Sequence, residues 1–155
     1  MVNLGYCYEN AIRVEKDQTR AVSWYQKAAE LGDSMAMYNL GFCLYDGEGI
    51  EKDYKQAVHW FQKAADLGHC GAMVHLGVSY DDGNGVYQDK SQALEWYRKA
   101  AELGDSYAMY NVGQCYKDGS GIQQDLSQAN YWLQKSADLG NPLAFSQLKL
   151  LEKPQ

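Results

Sequence analysis

Positive charge is the first thing this sequence is short of. Its 14 Lys and Arg stand against 20 Asp and Glu, the formal net charge is −6, and no basic run supplies a local exception. Nucleic-acid binding rests on Lys and Arg that neutralise phosphates, so neither DNA nor RNA is expected as a partner. Long apolar runs are missing too. Nowhere do about eighteen apolar residues stand together, as a membrane-spanning helix requires, and the opening Met1-Val2-Asn3-Leu4-Gly5-Tyr6-Cys7 has no basic segment followed by an apolar one. No membrane partner is expected, and the cytoplasm is the expected compartment, whether the chain stands alone or is a fragment of a longer protein. Cysteine is sparse: Cys7, Cys43, Cys70 and Cys115 lie 36, 27 and 45 residues apart, without the close pairs of zinc or redox motifs. A reducing setting without disulfides follows.

Sets of residues that carry chemistry are equally thin. No Ser, Cys or Lys has an evident base partner. Asp81-Asp82-Gly83-Asn84-Gly85 places its glycine too early for a calcium loop and offers Gln92 where a bidentate glutamate is needed. The Gly-x-Gly segments lack the third glycine of a dinucleotide fingerprint and follow a helix instead of a strand. His69, Cys70 and His75 do not have the spacing of metal ligands on a helix. The reading predicts no enzyme, no cofactor and no metal.

What is present is repetition. In rows of 36 residues, Gly5, Gly41, Gly77 and Gly113 share one column, and Trp24, Trp60, Trp96 and Trp132 share another. Asp17/Asp53/Asp89/Asp125, Ala21/Ala57/Ala93/Ala129, Lys27/Lys63/Lys99/Lys135 and Gly32/Gly68/Gly104/Gly140 follow without insertion or deletion. With 155 residues and 46% hydrophobic content, this makes one domain, over residues 1–153. Its units are 1–32, 33–68, 69–104 and 105–140, with a capping helix over 142–153.

Each unit reads as two helices. Ala36, Leu40 and Leu44, four apart, give helix A an apolar face over residues 34–46. Asp33, Asp105 and Asn141 are N-caps, and Pro142 suits a first helical position. Helix B starts after Asp53, where Asp53/Gln56, Asp89/Gln92 and Asp125/Gln128 have capping-box spacing that Arg20 breaks in the first unit. It ends at Gly68 and its equivalents, since glycine takes a left-handed conformation without penalty. Glycine inside helix A costs about 1 kcal/mol relative to alanine, so Gly41 and its equivalents imply close contact with helix B, with tryptophan locking the hairpin. Paired glycines turn the loops Gly47-Glu48-Gly49-Ile50, Gly83-Asn84-Gly85-Val86 and Gly119-Ser120-Gly121-Ile122. The first unit has Ala11-Ile12-Arg13-Val14 there and should be irregular.

The set Ala36, Leu40-Gly41, Gly47-x-Gly49-Ile50, Asp53, Ala57, Trp60-Phe61, Lys63-Ala64-Ala65 and Gly68 resembles the Sel-one-like repeat, a relative of the tetratricopeptide repeat. The resemblance implies an all-α fold: a right-handed superhelix of four antiparallel helix pairs plus the C-terminal capping helix, with helix A on the concave side. It also implies an adaptor that binds proteins or peptides. Cysteine-rich relatives have been associated with β-lactam hydrolysis, but the close cysteine pairs they carry are absent here. The likeness of the units also fits recent duplication or engineering from a consensus.

Columns that vary within a regular helix are free to serve binding. On helix A these form an aromatic stripe of Met35, Tyr38, Phe42 and Tyr45, three and four residues apart. The counterparts are Val2, Tyr6 and Glu9 in the first unit, Gly71, Val74, Val78 and Asp81 in the third, and Tyr107, Tyr110, Gln114 and Lys117 in the fourth. Asn39, His75 and Asn111 beside them could hydrogen-bond a peptide backbone. These residues are the expected binding site. The alternative expectation is a structural module that self-associates through exposed solenoid ends.

Overall fold

Helix-starting and helix-ending residues divide the chain as the columns imply. The structure, a computed structural model, describes residues 1–12 and 15–151. Among them are nine helices and no strand: α1 (Val2–Glu9), α2 (Gln18–Glu30), α3 (Ser34–Asp46), α4 (Tyr54–Asp66), α5 (Cys70–Asp82), α6 (Lys90–Glu102), α7 (Ser106–Asp118), α8 (Leu126–Asp138) and α9 (Pro142–Leu151). Odd-numbered helices are helix A and even-numbered ones helix B. Each packs chiefly on its neighbours in sequence, which is the right-handed helical solenoid.

A relay of hydrogen bonds joins each helix B to the next helix A. At the end of α4, Gly68 turns left-handed with φ +84° and donates to the Ala65 carbonyl, while the His69 N–H reaches the Ala64 carbonyl. The same residue then caps α5 with its side chain, Nδ1 accepting the Ala72 N–H at 3.2 Å. Asp33 and Asp105 do this for α3 and α7 with a carboxylate oxygen, at 2.9 and 2.8 Å. Asn141 caps α9 through the Leu143 N–H, and its amide donates to the Ser106 carbonyl beside the Ser136 hydroxyl.

The start of helix B differs from the capping-box expectation. Asp53 does accept the Gln56 N–H, but its own N–H is taken by the Leu44 carbonyl, nine residues back on α3. Asp17, Asp89 and Asp125 bond Tyr8, Tyr80 and Tyr116 in the same way. The backbone donor that a box would satisfy is therefore spent on closing the loop. Nor does Arg20 abolish the cap: its N–H donates to Asp17 Oδ1, and its guanidinium pairs with the other oxygen at 3.1 Å.

The glycine inside helix A accommodates the residue after the tryptophan, and this corrects the second expectation. A Cβ on Gly41 would stand 2.7 Å from the Phe61 ring, and one on Gly113 2.8 Å from Leu133. Tyr25, Phe61 and Leu133 are wholly buried, while the tryptophans are only half-buried. Each tryptophan instead carries the ammonium of the lysine three residues on, 4.0 to 5.3 Å from its ring centre. In the first unit Ala11 takes the place of Gly47 and adopts φ +56°, a left-handed backbone that costs an L-residue about 1–2 kcal/mol. Arg13 and Val14 of that loop lie outside the described residues, as do positions 152 and 153 of the last helix.

Candidate functional site

Helix A sets one side against helix B and leaves the next side half-buried. Ala36, Leu40, Gly41 and Leu44 fill the inner side of α3, and Tyr38, Asn39, Phe42 and Tyr45 lie half-exposed beside them. Val74, His75 and Val78 on α5 and Tyr110, Asn111 and Gln114 on α7 hold the same position, while Tyr6, Met35 and Tyr107 are about half exposed.

The structure divides this stripe in two. Between α3 and α5 it is closed. The His75 ring is surrounded by Phe61 at 5.0 Å, Tyr38 at 5.5 Å, Phe42 at 5.7 Å and Tyr45 at 6.2 Å between ring centres. Its Nδ1 lies 3.0 Å from the Gly71 carbonyl, a partner that can only accept, so Nδ1 carries the proton and Nε2 alone is left for another group. The Tyr45 hydroxyl accepts from Asn84 of the following loop at 2.8 Å. Tyr38, Phe42, Tyr45, Val74 and Val78 all pack on the core.

From α5 to α9 the stripe opens into a cavity of about 360 Å³. Tyr38, Val74, Tyr107, Tyr110 and Leu143 supply apolar surface, and His75, Asn111 and Asp105 polar groups. Gly71 borders it. Gly71 occupies the column of Met35, Tyr107 and Leu143, and a Cβ there would already touch His69 at 3.2 Å and Tyr38 at 3.3 Å. His69 stacks on Tyr38 with ring centres 4.5 Å apart. Burial, and secondarily the charge of Asp105, push the Tyr38 hydroxyl above its ordinary pKa. Burial lowers the His69 imidazole, with His75 adding to the effect.

A second cavity, of about 310 Å³, shares Asn111 with the first and continues along the α5–α7 seam, where Asp81, Gln114 and Asp118 line it together with Lys90. Asn111 therefore stands where two cavities meet, and its side chain has no hydrogen bond among the described residues. Gly71 is the stripe's counterpart in the third unit, whereas Asp105 and Leu143 were not among the expected site residues. Asp105 read as a cap and Leu143 as part of the terminal helix. The cysteines are not organised for chemistry: all four are free thiols, and burial pushes Cys43 up to about 12 and Cys115 to about 11.

The Sel1 repeat model matches the chain four times, over residues 1–33, 34–69, 71–105 and 106–141. The chain belongs to the Sel1 repeat family. Among solved structures, a Sel1 repeat protein from Oxalobacter formigenes is 39% identical with a TM-score of 0.89, covering 92% of this chain and 57% of that one. A protective antigen of uropathogenic Escherichia coli with the same fold is 41% identical with a TM-score of 0.90, over 95% of this chain and 32% of the other. This chain thus spans between a third and somewhat over half of those relatives. Cysteine-rich protein B of Helicobacter pylori is 27% identical with a TM-score of 0.66, over 84% of this chain and 94% of its own. No curated protein matches significantly. Sel1 repeat proteins are in general scaffolds for protein interaction. Among the described residues, no helix is long and apolar enough to cross a membrane.

Proposed function

We propose that this Sel1 repeat chain is a non-enzymatic adaptor that holds a peptide segment of a partner protein on its concave face. The cavity beside Gly71 carries the reading: it is concave and mostly apolar, and a few polar groups converge at its edge. The aromatic residues around it contribute large contact areas at low conformational cost. Asn111 and the remaining Nε2 of His75 could satisfy the backbone of an extended segment.

The test is affinity capture by the wild-type chain and by Tyr38→Ala/Tyr110→Ala side by side, after circular dichroism confirms equal helicity. A partner retained by the wild type and lost by the variant is expected. Equal capture by both would move binding to the loops or the convex face.

One observation favours a second reading, self-association. Phe145 lies in the column of the buried Met37, Met73 and Met109, yet is 51% exposed. Sedimentation that stays monomeric at high concentration would exclude it.

A further inference from the structure

We infer that the cavity beside Gly71 takes the long basic side chain, arginine or lysine, of an extended segment of the partner protein; this rests on the concave-face reading above. Asp105 is the only Asp, Glu, Lys or Arg among the residues lining it. One of its carboxylate oxygens accepts the Ala108 N–H at 2.8 Å, and the other has no hydrogen bond among the described residues. The neighbouring helix starts, those of α5 and α9, are capped by His69 and Asn141, so Asp105 supplies the formal charge at this edge.

The unpaired N–H groups at the start of α7 place about half a positive charge beside the Asp105 carboxylate, which leaves the sum negative. Tyr38, Tyr107 and Tyr110 line the same cavity, and aromatic rings attract cations. A guanidinium or ammonium on a long aliphatic stem matches this arrangement, with its stem on Val74 and Leu143 and its head toward Asp105. An acidic side chain would face the same carboxylate and ring faces and be repelled.

Asp105→Asn isolates the charge, because asparagine caps helices as well as aspartate does and Asn141 already does so in this chain. Gly71→Met fills the cavity with the side chain that its column carries at Met35. Random heptapeptides displayed on phage would be selected against the wild-type chain at low salt. Selected peptides would then be measured by fluorescence polarisation on the wild type and both variants.

The expected result is enrichment of Arg or Lys, loss of binding in Gly71→Met, and affinity weakened about five- to tenfold in Asp105→Asn, with a shallower salt dependence. Peptides lost in Gly71→Met but without basic enrichment, or indifferent to Asp105→Asn, would overturn the cation and leave the concave face standing. Acidic enrichment would do the same. Peptides indifferent to both variants, or no binders at all, would overturn the concave-face reading and this inference with it.

Discussion

Gly41 shows how much of this fold depends on an absent atom. Its backbone lies so close to helix B that the Phe61 ring occupies the space of a side chain, with the Ala57 carbonyl 3.3 Å from a would-be Cβ. Alanine there gains about 1 kcal/mol of helix propensity, while crowding a wholly buried ring costs about 1–3 kcal/mol. We expect Gly41→Ala to lose about 1 kcal/mol net, read as a lower urea midpoint at unchanged slope. A gain would mean that Phe61 moves aside freely and that the glycine column has another cause. Gly71 belongs to a different class. It has no counterpart glycine in its column, and it borders the groove instead of helix B.

Among the helices, the relay at each B–A junction makes one residue serve two elements, and α5 is the helix for which that residue titrates. His69 caps α5 by accepting the Ala72 N–H through Nδ1, which only an unprotonated nitrogen can do. Burial holds its folded-state pKa below the ordinary value near 6.5, so folding favours the neutral ring. The stabilisation is then complete above about pH 6.5 and is lost as the pH falls through the lower folded-state value. Urea midpoints at pH 7.5 and 5.0 should fall further for the wild type than for His69→Asn, whose cap does not titrate. The difference should approach the worth of a cap, about 1 kcal/mol. Equal falls in both proteins would place the pH response elsewhere.

At the scale of the whole molecule, what could be read from sequence and what could not divide by whether a feature repeats. The helix pairs, the Asp starts of every helix B and the Gly ends that follow recur every 36 residues, and each recurrence strengthens the others. Tryptophan was misassigned to the hairpin lock because a constant bulky residue looks like core. The residue after it varies among Tyr, Phe and Leu, so its column hid that it was the buried one. The cavity was half legible: Tyr38, Val74, His75, Tyr107, Tyr110 and Asn111 were visible as a stripe. Gly71 was legible as their third-unit counterpart, whereas Asp105 and Leu143 join them only because helix starts from successive units converge there. The same one-dimensional order governs stability. Contacts run chiefly between consecutive helices, so opening can proceed unit by unit. α1 buries Gly5 alone, whereas α3 buries six residues and α5 five, including Leu76 and Met73. Native-state hydrogen exchange should therefore show amides of α1 exchanging through small local openings, and those of α3 and α5 only near the global unfolding free energy. Uniform protection from α1 to α7 would mean that the stack opens as one cooperative block, with interfaces between units stronger than the units themselves.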